Sequence, residues 1–171
     1  MIRRRKYTGD DRQWERGNVT DSSLDAQQQA MLLSVIDTAH DIIEGKPEIA
    51  KFIEAARHAM IHGHSSVWQN TSNWITKIGR VAPDVKVIWN ELAAHSNWQI
   101  RWRVACCLYS WGIDENQSDQ LFAYLRDDKS EKVRHYAIDR YESRPNEGRE
   151  VVKMFDANEF DDRVRLGEVT L

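Results

Sequence analysis

Residues 125–137 read LRDDKSEKVRHYA: a leucine, a short charged turn, and a Val-Arg pair that begins eight residues after the leucine. Whether this joint occurs once or recurs decides the fold. Shifting the chain by 33 residues lays Ile100 and Arg101 on Val133 and Arg134, and Ile88, Trp89 and Leu92 on Leu121, Phe122 and Leu125. The same shift carries Trp74, Ile75, Ile78 and Gly79 onto Cys107, Leu108, Trp111 and Gly112. A fainter copy follows. Met154 and Phe155 match Leu121 and Phe122 at that shift, whereas Val164 and Arg165 match Val133 and Arg134 at a shift of 31, as a two-residue deletion in the turn would produce.

Self-similarity at a period of 31 to 33 residues marks stacked helix pairs. One such pair cannot cover its own apolar face, whereas neighbours that stack share a continuous core. Each unit reads as helix, turn marked by glycine or proline, helix, and a polar turn into the next Val-Arg start. Ser96 with Gln99, and Asp128 with Glu131, stand at the spacing of a capping box at those starts. Arg101, Arg134 and Arg165, just past the first turn of their helices, have stems that can pack and forks that can bind carboxylates, so they and Asp128 are expected to join successive units.

The unit DDKSEKVRHYAI, residues 127–138, resembles HEAT repeats, in particular the short HEAT-like repeats of phycobilin lyases, which carry an acidic turn, a Val-Arg pair and a following small-residue helix. The resemblance covers about residues 66–171, with the last copy degenerate. It implies an all-α fold, a right-handed α-α superhelix or HEAT-like solenoid. Function does not come with it, since such repeats serve many unrelated roles.

Upstream, residues 21–65 read as a helical hairpin that caps the array, all in one structural domain. Ser22 or Ser23 is placed to start its first helix, where Met31, Leu32, Val35, Ile36, Ala39, Ile42 and Ile43 recur at helical spacing before Gly45. Pro47 introduces the second helix, with Ile49, Phe52, Ile53, Ala56 and Met60 on one face and Gly63 at its end. Residues 1–20 are polar with no sustained apolar face and read as a basic arm or irregular lead-in.

Composition narrows the function classes. The chain has 171 residues, 41% hydrophobic, enough for a real core. Its apolar runs fall short of the roughly 20 residues of a membrane-spanning helix, and no apolar stretch follows the basic start RRRK at residues 3–6, so a cytoplasmic protein is expected. The only cysteines, Cys106 and Cys107, are adjacent and expected to be buried thiols. Residues 1–20 hold six basic and three acidic side chains, leaving 18 basic against 24 acidic in the body. That acid surplus disfavours a broad phosphate-binding surface, so nucleic acid is a secondary expectation.

Three constellations bear on chemistry. In HAMIHGH, His58 and His62 share a helical face and His64 follows, a weak candidate metal site. Ala59 stands where a zinc protease helix carries its general-base glutamate, so protease chemistry is excluded there and no metal cofactor is expected. The segment NWQIRWRVACCLYSWG, residues 97–112, is apolar on two stripes: Ile100, Val104, Cys107 and Trp111, and Trp98, Trp102, Ala105 and Tyr109. In a stack both stripes can be structural. The alternative is a groove in which Trp98, Trp102 and Tyr109 stand beside Arg101 or Arg103, with His135 as a further partner-binding candidate, a pattern typical of binding hot spots. Seven tryptophans are many for this length. HEAT-like alkylpurine DNA glycosylases use Trp and Arg on repeat helices and are similar in that respect, but the acidic body and short chain depart from them.

No catalytic set, glycine-rich phosphate loop or nucleophile motif stands out, so the expected function is a non-catalytic module for a protein partner. Small bacterial HEAT-like proteins include immunity proteins that neutralise toxins, and an acidic surface suits a basic partner of that kind. The alternatives are a HEAT-like DNA-binding or glycosylase-type protein, and a metal-binding or lyase-like protein.

Overall fold

The computed structural model describes residues 10–109, 113 and 115–144. The regular elements among these residues are helical, as the periodicity predicts. They fall into two compact units, residues 10–83 and 84–144, each with a core of its own.

The first unit holds α1 (Asp10–Thr20), α2 (Ala26–Ile43), α3 (Ile49–His62) and α4 (Ser65–Gly79). Helix α2 starts one turn later than the serines suggested, because Asp25 is its N-cap and its carboxylate accepts the Gln28 amide at 2.9 Å. It ends before Gly45, whose φ of 87° is the left-handed conformation that stops a helix without cost to glycine. The buried faces of α2, α3 and α4 meet around Val35, Phe52, Met60, Ile75 and Ile78. Gly63 makes the α3–α4 corner possible, since a Cβ there would lie 2.4 Å from the Ala59 carbonyl oxygen and 2.7 Å from Val67 Cγ1. The buried Gln28 side chain ties this corner to α2 by accepting the His64 amide at 2.7 Å.

One element of this unit differs from the sequence reading. Residues 10–20, expected to be irregular, form α1, and residues 1–9 lie outside the described residues. Helix α1 escapes a periodicity search because Val19 is its one buried residue and its attachments are ionic. Arg12 reaches Asp37 at 3.2 Å, Asp41 at 3.0 Å and Glu44 at 3.4 Å, while Arg16 pairs with Asp37. Helix α4, where the sequence reading begins the repeat array, packs on α2 and α3 within the first unit. The apolar spacing of Trp74, Ile75 and Ile78 states that a face is buried, not which helices bury it.

The second unit holds α5 (Val87–Ala93), α6 (Trp98–Cys107), α7 (Glu115–Leu125) and α8 (Glu131–Glu142). A 3₁₀ turn at Pro83–Lys86 precedes α5. Successive helices pair, α5 with α6 and α7 with α8, and corresponding helices also touch, α5 with α7 and α6 with α8. The core consists of Ile88, Trp89, Leu92, Ile100, Val104, Leu108, Leu121, Leu125 and Val133. Most of these are residues related by the 33-residue shift. No helix among the described residues is long and apolar enough to cross a membrane.

Candidate interaction face

The turns before α6 and α8 are built alike. Arg101 Nη1 donates to the carbonyls of His95 and Ser96 at 2.7 and 2.8 Å, the residues six and five positions before it. Arg134 Nη1 donates to Asp128 and Lys129 at 2.6 and 3.1 Å, at the same two offsets. The side chains opening each turn also match. His95 Nδ1 accepts the Asn97 amide, and Asp128 Oδ1 accepts that of Ser130. The N-caps are therefore Asn97, whose side chain accepts the Gln99 amide at 2.9 Å, and Ser130, rather than Ser96 and Asp128.

One arginine goes further. Arg101 places its fork on Asp128, Nε to Oδ2 at 2.6 Å and Nη2 to Oδ1 at 2.9 Å, joining the α6 start to the turn before α8. Both side chains are largely buried, at 12% and 5% exposure. The Arg101 hydrogen bond holds the Asp128 carboxyl below the usual carboxylate range, against the opposing effect of burial. Arg165, expected in the same role, lies outside the described residues.

With the turns set in this way, α6 and α8 run side by side and present a shared outer row. Trp98, 37% exposed, has the Lys132 ammonium 5.2 Å from its ring centroid. One turn on, the half-buried Trp102 meets Tyr136 edge to face at 5.3 Å, and Tyr136 is itself exposed. A turn further, Cys106 faces Arg140; burial pushes the thiol up to about 11, so it stays protonated at neutral pH. Arg103 is half-buried, and burial lowers its pKa from the usual arginine value. His135 is exposed beside Tyr136, ring centroids 6.0 Å apart.

The two stripes predicted on α6 therefore have different fates. Ile100, Val104 and Cys107 are core and Trp111 is outside the described residues, while in the second stripe Trp98 is exposed, Trp102 half-buried and Ala105 fully buried. Tyr109 stands apart from this row. It terminates α6 with φ at 51°, a left-handed conformation that costs a non-glycine residue roughly 1–2 kcal/mol. Its amide donates to Ser118 Oγ and its hydroxyl to Asp119 at 2.6 Å, while its ring lies edge-on to Tyr141. Burial and the Asp119 hydrogen bond both raise the phenol's pKa. Tyr141 in turn stacks on Phe122 at 4.2 Å and carries the Arg144 guanidinium on its ring at 3.6 Å.

Lys132, Tyr136 and Arg140 were missed from sequence. The 33-residue shift does not point to them, since it lays Trp98 and Trp102 on Glu131 and His135, one residue before Lys132 and Tyr136.

The histidines make a different arrangement. His58 and His62 are exposed on α3 with ring centroids 4.7 Å apart, and His64 is exposed as the N-cap of α4. Among the described residues no group of three or more His, Cys, Asp or Glu side chains is placed to hold a metal ion. The chain matches no protein-family model, no curated protein and no solved structure.

Proposed function

We propose that this chain is a non-catalytic HEAT-like module that captures a protein partner through the α6–α8 face. The observation that carries the reading is the row Trp98–Lys132, Trp102–Tyr136 and Arg140, where the exposed Trp98 and Tyr136 and the half-buried Trp102 stand with cations on two neighbouring helices. Tryptophan, tyrosine and arginine dominate the energetics of protein interfaces, because rigid rings bury large areas at small entropic cost. The matched turn arginines and the contacts of α5 with α7 and α6 with α8 support a superhelical stacking of the two pairs. Lys132 and Arg140 give this row two cations, so the occupant best suited to it is an acidic surface of a protein. A basic, toxin-like partner, expected from the net charge of -3, would engage residues away from this row.

A photo-crosslinking amino acid at position 98, compared with one at the exposed Gln69, tests the reading in cells. The expected result is a discrete protein adduct from position 98 alone, lost on Lys132→Glu with Arg140→Glu while the melting temperature holds. Adducts of the same pattern from both positions would sink it. Duplex DNA binding that falls steeply with salt and vanishes in the double variant would transfer the face to the DNA-binding alternative.

A further inference from the structure

A cleft of about 440 Å³ opens in the first unit between α1, α2 and α4, within the roughly 300–1,000 Å³ typical of small-molecule sites. Its floor is apolar, formed by Val19, Leu32 and Ile36, all buried. Two indoles border it, Trp74 at 8% exposure and Trp14 at 61%. Among the described residues lining it, Glu15 is the one charged side chain, and the remaining polar groups are asparagines and serines.

The Glu15 carboxylate is held in place. Its Oε2 lies 2.6 Å from Nε2 of His40, which is fully buried and whose ring tilts against Trp74 at 5.4 Å. An anchored carboxylate sharing a lining with two indoles, over an aliphatic floor and with no cation among the described lining residues, has the chemistry that recognises an organic cation, the nearest ammonium being that of Lys77 on the Trp74 ring. The charge is attracted by the carboxylate and by the ring quadrupoles, and the apolar body of the ligand covers the floor. The protein already uses this attraction beside the cleft, where the Lys77 ammonium stands 4.2 Å over the Trp74 ring.

We infer that this cleft binds a small organic cation, an ammonium carried on an aromatic or branched aliphatic body, with Glu15 and Trp14 as its recognition residues. Glu15 supplies the counter-charge and Trp14 the outer ring. The site is separate from the α6–α8 face and does not depend on its role.

The test is an NMR titration of the full chain, following the indole N–H resonances, with benzyltrimethylammonium as probe. Its neutral isostere 2-methyl-1-phenyl-2-propanol and the anion phenylacetate serve as comparators. The ammonium should saturate the Trp14 and Trp74 signals, with the isostere at least about tenfold weaker and phenylacetate without effect. Glu15→Gln should weaken the ammonium about tenfold and Trp14→Ala about two- to fivefold. If Glu15→Gln loosens α1 through the lost His40 contact, Trp14→Ala decides, because that side chain is mostly exposed and its removal leaves the core intact. Equal binding of ammonium and isostere, ammonium binding untouched by Trp14→Ala, or no saturation up to about 10 mM would each overturn the proposal.

Discussion

At the scale of single residues, Asp128 carries the most structural weight in the second unit. It accepts both arms of the Arg101 fork, its Oδ1 takes the Ser130 amide, and its carbonyl is held by Arg134. Asp128→Asn should therefore cost about 3 kcal/mol in urea unfolding, since it leaves a mostly buried guanidinium without its counter-charge. The same ion pair sets a pH dependence. Because the folded-state pKa is depressed, the contribution is complete above the ordinary carboxylate value near 4 and disappears as pH falls through the lower folded value. Wild-type stability should fall in that acid window, and the Asp128→Asn variant should show a shallower fall. The sequence made Arg101, Arg134 and Asp128 legible through their repeat positions. It did not show that each arginine also holds two main-chain carbonyls, because a backbone acceptor carries no side-chain signature.

At the scale of elements, the buried faces of α2, α3 and α4 could be read from spacing, whereas α1 could not. Amphipathic periodicity reports apolar burial, and α1 is fastened through Arg12, Arg16 and Glu15 to residues 21 to 32 positions away. Such contacts leave no local pattern. They do leave a testable one. Arg12→Ala removes the links to Asp37, Asp41 and Glu44 together, so amide exchange in α1 should accelerate about five- to tenfold, the equivalent of roughly 1 kcal/mol for a partly exposed network. Added salt should accelerate wild-type α1 exchange more than that of the variant, which keeps the Arg16–Asp37 pair, while α3 stays protected in both.

For the molecule as a whole, each of the two compact units has buried residues of its own. Phe52, Met60 and Ile75 are fully buried in the first unit, and Ile88, Leu108 and Leu125 in the second. Leu125→Ala should cost about 2–5 kcal/mol, read as faster exchange across α5 to α8, as expected for a core truncation. A cost near zero would contradict the burial of that leucine. Most positions paired by the 33-residue shift are buried in α5 through α8, and Trp74, Ile75 and Ile78 are buried in α4 as well. Net charge was a coarse guide, since an acid surplus over the chain conceals the two cations of the α6–α8 row. The cleft beside Glu15 was invisible, as its lining comes from three helices and their connections.

The paired arginine clamps have a final consequence for how this chain can vary. Each reaches for peptide oxygens at fixed offsets, so the grip is indifferent to the identity of Ser96 or Lys129 and sensitive to the count of residues between clamp and clasp. Spelling is free to drift in these loops while their length is locked, and an inserted residue would do more harm than any replacement at either site.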